Sequence, residues 1–184
     1  MEKEYGRKDG VIHTAAVIDR AYVELVEDLT EQRVQEILSP VITAVENIYE
    51  VFKDKNPGFV WIASSLVAAV GGLGYSGYAA ACSWVHHFMA SKAGELPSWK
   101  CVGLAEMTFD ELESNAAVLH PSEIEALFER TLPYDNCPVV LESITDLVQR
   151  VERINSAVNS AAPAEAVAET TAAKTERPHL NTTY

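Results

Sequence analysis

Between Asn56 and Ser91 the chain carries no Asp, Glu, Lys or Arg for 36 residues, so any fold it adopts must bury that stretch or place it in lipid. Its densest part, Phe59-Val60-Trp61-Ile62-Ala63-Ser64-Ser65-Leu66-Val67-Ala68-Ala69-Val70, offers no charged face. A helix apolar all round is either a membrane span or the centre of a packed core.

Three readings are open. In the first, residues 59–81 form a transmembrane helix, since about 20 apolar residues at about 1.5 Å each cross a hydrocarbon core of about 30 Å. Trp61 stands near one end and Tyr75, Tyr78 and Trp84 toward the other, where interfacial anchors belong, with Lys53, Lys55 and Lys92 outside. In the second, the same residues make one or two short helices, broken near the glycines at 71–74 and buried beneath amphipathic neighbours. Phe59, Trp61, Ile62, Leu66, Val67 and Val70 are the residues that carry either reading. In the third, Gly72-Leu73-Gly74-Tyr75-Ser76-Gly77 is a G-x-G-x-x-G phosphate loop that follows a buried strand at 66–70. Gly72, Gly74 and Gly77 would then hold a dinucleotide. The acid expected about 20 residues later for the ribose is missing, and no series of further strands follows.

The flanks read as helices. Val11, Ala15, Ile18, Tyr22, Leu25 and Leu29 step by four and three, and Val34, Leu38, Val41, Val45, Ile48 and Phe52 repeat that spacing after a phase break at Thr30-Glu31-Gln32. Ser39-Pro40 offers a second helix boundary, and Asn56-Pro57-Gly58 ends the pattern. Residues 99–104 are ambiguous between a short strand and irregular structure. Thr108 with Glu111 forms a capping box, supported by a Met107–Leu112 staple, and Ser122 with Glu125 starts another helix. From Pro138, the positions Val140, Ile144, Leu147, Val151, Ile154 and Val158 form a helix-interaction seam with Glu142, Asp146, Arg150, Glu152 and Arg153 outside it. Residues 161–184, rich in Ala, Thr and Glu, have no large apolar periodicity with which to offset their ordering entropy.

Charge narrows the partners. The net charge of −13 divides into −5 over residues 1–55 (7 basic, 12 acidic), +1 over 56–100 (2 basic, 1 acidic) and −9 over 101–184 (5 basic, 14 acidic). Phosphate backbones and anionic lipid headgroups need basic clusters, so nucleic acid is excluded as a partner. The first eight residues lack the apolar core of a cleavable signal peptide. Cys82, Cys101 and Cys137 lie far apart, as free thiols do in a reducing compartment. Cys82 and His86 share a helix face, but two ligands do not make a zinc site. The acidic group Glu106, Asp110, Glu111 and Glu113 is explained by its place in the first turns of a helix. Nucleophile-elbow, zinc-protease, Walker and calcium-loop motifs are absent.

The sequence therefore predicts an all-α protein: a flexible lead over 1–10, a single helical domain over 11–160, and a low-complexity tail over 161–184. The domain comprises amphipathic helices over 11–53, an apolar segment over 59–91 that is a transmembrane helix, a hairpin or a buried core, and three helices over 108–160. The predicted function is non-enzymatic assembly through helix pairing, with self or other helical subunits as partners and membrane lipid through 59–91. The alternative is a soluble adaptor. A nucleotide-dependent enzyme using the loop at 72–77 stands as the distant third. No cofactor, metal or catalytic residue is expected, and the expected location is a membrane or large assembly, otherwise the cytoplasm.

Overall fold

A computed structural model describes residues 9–16, 23–107, 118–134 and 137–161. Its centre is a four-stranded, wholly parallel sheet in the order β1 (Gly10–His13), β2 (Phe59–Ser65), β3 (Trp99–Leu104), β4 (Val139–Leu141). Between strands run α1 (Glu31–Phe52), the one-turn α2 (Val67–Val70), α3 (Ser76–Ser91) and α4 (Pro121–Thr131), and α5 (Leu147–Ala161) follows β4.

The all-α expectation is overturned by this sheet. The charge-free stretch is not one helical element: its first seven dense residues are β2, paired with β1 on one side and β3 on the other. Successive side chains of a strand point to opposite faces. Val60 and Ile62, 0% and 1% exposed, enter the core with α1 and α3. Phe59 and Trp61 point the other way and meet Phe128 of α4 edge-on, with ring centroids 5.6 and 5.7 Å apart. A strand covered on both faces loses its polar alternation and reads as a continuous apolar run, as a buried helix does. No described helix is long and apolar enough to cross a membrane, so the transmembrane reading of 59–81 falls with the bundle.

Leu66 (2% exposed) caps α2, Val67 opens it half-buried, and Val70 (7%) closes it inside the core. Of the first heptad seam, Val11 lies on β1, Ala15 just after it, and Leu25 and Leu29 flank a 3-10 turn at Val26–Asp28, while Ile18 and Tyr22 lie outside the described residues. The second lies on α1, which begins at the phase break: Thr30 is its N-cap and accepts from the Arg33 amide at 3.2 Å. Pro40 sits inside α1, which runs on through the boundary expected there.

The helix expected from Pro138 divides too. Val140 belongs to β4, Ile144 to a bend and Leu147 to the first turn of α5. Val151 and Ile154 follow on α5 with Val158 further along it, while Val148 beside the seam is 66% exposed. The chain divides into two compact units at residues 147 and 148. The capped helix expected at Thr108 and the tail over 162–184 lie outside the described residues.

Candidate active site

In open parallel α/β sheets, ligands bind outside the carboxyl ends of the strands. Here those ends bring together His13 of β1, Ser64 and Ser65 of β2, Gly103 of β3 and Glu142 just after β4. Glu142 is tied in by its amide, which donates to the Gly103 carbonyl at 2.9 Å, and by Oε2, which accepts from the Ala105 amide at 3.3 Å.

Helix α3 crosses this edge on the side of the core. Tyr78, Cys82 and His86 follow one another at four-residue steps and so share one helix face. Cys82 is 1% exposed. Its thiol interacts with the Tyr78 hydroxyl, the Ser64 hydroxyl and the Ser65 backbone, and Ser64 also reaches the Cys101 thiol on β3. One sulfur therefore links the end of β2 to the phenol of α3. The thiol contacts are weak, because sulfur is a poor donor and acceptor, and Ser64 Oγ meets no partner at full hydrogen-bond geometry. Ser76 Oγ and His86 Nε2 are likewise buried without a partner. Each unpaired buried polar atom costs about 1–3 kcal/mol, so each asks for an explanation.

Ser65 differs from Ser64. It is half-buried, and its Oγ accepts from the Val67 amide at 3.2 Å, which leaves the hydroxyl proton for another acceptor. Tyr78 is half-buried as well. Ser65 and Tyr78 are thus the two hydroxyls that combine position at the strand end with access.

The electrostatics keep the site neutral. Burial, reinforced by the Cys82 sulfur, pushes the Tyr78 phenol above its ordinary range, and no described cation acts to lower it. Burial also raises Cys82 and pushes Cys101 up to about 12, so both are thiols rather than nucleophilic thiolates. His13 and His86 are lowered by burial, His86 further by His87, which favours neutral imidazoles. Glu142 is raised by burial and by Glu123 against the Ala105 amide. Lys100, 1% exposed, lies at the other end of β3 and donates to the Pro97 carbonyl at 3.1 Å.

This architecture has counterparts. The sequence model of the KR domain matches residues 1–100, more than half of the chain. The chain belongs to the KR domain family. The KR chain is 27% identical over 160 residues to the phenolphthiocerol synthesis polyketide synthase type I Pks15/1 of Mycobacterium bovis, a match that covers 79% of the chain and 7% of that protein. It spans a tenth or less of the curated relatives it matches. An N-terminal ketoreductase from the macrolactin assembly line superposes with a TM-score of 0.68 at 16% identity, over 83% of this chain and 31% of that one. A short-chain dehydrogenase from Streptomyces avermitilis does so with 0.64 at 14% identity, over 86% and 69%. These likenesses establish the α/β fold, and the family overturns the expectation of a non-enzymatic helical subunit: KR is an oxidoreductase family.

The residues singled out from the sequence fall mostly beside the site. Phe59, Trp61, Ile62, Leu66 and Val70 build the layers around β2, and Val140, Ile144 and Leu147 of the seam contribute no polar group to the cluster. Ser64, Ser65 and Tyr78 were missed as a functional group. The available signal was a hydroxyl pair closing an apolar run, with a tyrosine in the first turn of α3.

A doubly wound oxidoreductase fold implies a nicotinamide dinucleotide, whose pyrophosphate sits on a glycine-rich turn leading from a strand into a helix. The described residues do not fit it. The only G-x-G-x-x-G connects α2 to α3, not a strand to a helix, and no glycine follows Gly103.

Proposed function

We propose that the chain supplies the carbonyl-binding part of a ketoreductase that acts on a keto group of an acyl chain. The observation that carries this reading is the half-buried Tyr78 phenol in contact with the Cys82 thiol, which also meets the Ser65 backbone, so that the accessible hydroxyls of Tyr78 and Ser65 both stand near the carboxyl end of β2 in a KR-family sheet. Reduction adds a hydride to the carbonyl carbon and a proton to the oxygen. Negative charge gathers on that oxygen as the carbon–oxygen π bond breaks, and hydrogen-bond donors aimed at it lower the barrier.

In this reading Ser65 donates to the oxygen and holds it in place. Tyr78, kept protonated by its burial, donates to the same atom and passes its proton to the alkoxide. The neutral thiols and imidazoles around them keep the pocket free of competing charge. The hydride would come from a dihydronicotinamide that the described residues do not hold, oxidised to the pyridinium as the carbonyl is reduced, and the part derived for this chain is binding the carbonyl oxygen and giving it a proton.

The acyl-chain assignment rests on the family's company. The matched relatives are named polyketide synthases, and we take other domains of such a synthase as the partners of this chain.

The test is binding of a 3-oxoacyl thioester of N-acetylcysteamine, followed by nuclear magnetic resonance. Resonances of Ser65 and Tyr78 should move together, and Tyr78→Phe should weaken binding by about three- to tenfold, the worth of one hydrogen bond. Unchanged affinity in both Tyr78→Phe and Ser65→Ala would sink the assignment.

A further inference from the structure

We infer that this chain takes its keto ligand without taking a nicotinamide dinucleotide: the carbonyl site is built from these residues and the dinucleotide site is not. The first half rests on the function proposed above. The second rests on separate observations.

A phosphate approaches a glycine loop because the missing side chains leave room for it. In the loop at 72–77 that room is filled by the protein itself. A Cβ on Gly74 would stand 2.6 Å from Val23 Cγ1, and the Gly74 carbonyl already accepts from the Glu24 amide at 3.0 Å. A Cβ on Gly77 would stand 3.2 Å from Ile37 Cδ1, and one on Gly72 3.1 Å from the Tyr75 ring. These glycines let the segment at 23–24 and helix α1 close against the loop. Their absent side chains make room for packing, not for a pyrophosphate.

Charge agrees with space. Glu24 is the residue whose backbone touches the loop, with Glu27 and Asp28 in the turn just beyond. Arg33, the nearby cation, is engaged by Glu24 at 3.1 Å and Glu36 at 3.2 Å. A dianionic pyrophosphate would meet carboxylates there.

The junctions after β1, β2 and β4 offer no substitute, and no glycine follows Gly103 in the one after β3. From Thr14 to Thr30, between β1 and α1, there is no glycine. β2 passes to the single turn of α2 through Leu66, whose amide is committed to the Leu104 carbonyl at 2.8 Å. β4 passes to α5 through Glu142 and Asp146.

Topology points the same way. A doubly wound sheet binds its dinucleotide where the strand order reverses, and among the described strands the order β1-β2-β3-β4 runs in one direction. No described strand pairs with the outer edge of β1. Ile12 on that edge is 56% exposed, while Trp61 and Lys100, its neighbours across the sheet in register, are 3% and 1% exposed.

The test titrates the purified chain with NADPH and NADH, following nicotinamide fluorescence and heat, and then titrates the same sample with the 3-oxoacyl thioester. The expected result is no dinucleotide binding up to about 1 mM, a limit near −4 kcal/mol, together with thioester-induced shifts at Ser65 and Tyr78. Dinucleotide binding with a dissociation constant below that limit overturns the inference. Gly74→Val then reports whether the loop is responsible. If neither ligand binds, the proposed function fails and the exclusion of the dinucleotide survives, so the two failures are told apart.

Discussion

The two faces of β2 are built from the same seven-residue strand and treat buried polar groups in opposite ways. On the side of α4, Trp61 Nε1 donates to Thr131 Oγ1 at 3.1 Å, and that hydroxyl donates on to the Phe128 carbonyl at 3.2 Å. Every polar atom of this relay is satisfied, and the aromatic rings of Phe59, Trp61 and Phe128 pack around it. On the side of α3, Ser64 Oγ is buried beside the Cys82 and Cys101 thiols without a partner at full hydrogen-bond geometry, and His86 Nε2 is buried without a partner. One face is finished as a protein interior. The other carries a standing cost that makes sense only if something else contributes there, and it is the face that Tyr78 approaches through the Cys82 thiol.

The strongest way to break this contrast is Trp61→Ala. If the α4 face is the stabilising one, the substitution should cost about 3–5 kcal/mol in denaturant unfolding, the range for removing a large buried aromatic. A cost under about 1 kcal/mol would mean that α4 contributes little to holding the sheet. Next comes Gly74→Ala, where a φ of +79° and a Cβ 2.6 Å from Val23 Cγ1 combine strain with overlap. We expect about 1–3 kcal/mol of destabilisation, and a neutral result would show the loop to be looser against residues 23–24 than described.

Alkali should sharpen the comparison, because the raised groups lie on the α3 side. Tyr78, Cys82 and Cys101 all have folded-state values above their ordinary ones, and Cys101 reaches about 12 from 9.0. A raised acid keeps its full stabilising effect below its unfolded value and loses it as pH climbs toward the folded one. Stability should therefore be flat toward neutrality with respect to these groups and fall above about pH 9, by up to about 1.4 kcal/mol per pH unit per group. Cys101→Ala should flatten that slope in pH-dependent unfolding, and an unaltered slope would remove the thiol from the account.

The smallest effect is the most pointed. Ser64→Ala deletes an unpartnered hydroxyl, so stability should stay level or rise by up to about 1 kcal/mol, the reverse of an ordinary buried hydrogen-bond deletion. A loss above about 1 kcal/mol would show that the sulfur contacts of Ser64 are worth more than their weak geometry implies.

Helix α1 was legible because it has one buried face. Val41 and Val45 are 7% and 0% exposed while Glu46 and Glu50 are turned to water, so the period of 3.6 survives in the residue order. β2 was not legible because Val60 and Trp61, neighbours on opposite faces, are both buried, so the strand's period of two is erased. The start of the chain misled for a different reason: Val11 on β1 and the apolar residues after it happen to fall at heptad spacing, although among the described residues only Val11 of that seam lies on a strand and Leu25 and Leu29 merely flank a 3-10 turn. At Val140, Ile144 and Leu147 the same spacing crosses from a strand through a bend into a helix.

By itself the sequence determined that 36 residues must be shielded from water, that α1 has one apolar seam, and that no strongly basic surface exists. Local spacing and charge suffice for those statements. Only the tertiary structure decided that the shielded stretch is a strand, a turn and a helix in a parallel sheet, because strand pairing joins residues far apart in the chain: Ile62 finds Cys101, and Val102 finds Val140. The same pairing brings Ser64, Ser65, Tyr78, Cys82 and Cys101 to one end of the sheet. No local pattern contains that site, since each member looks like an ordinary core or loop residue until the strands are laid side by side.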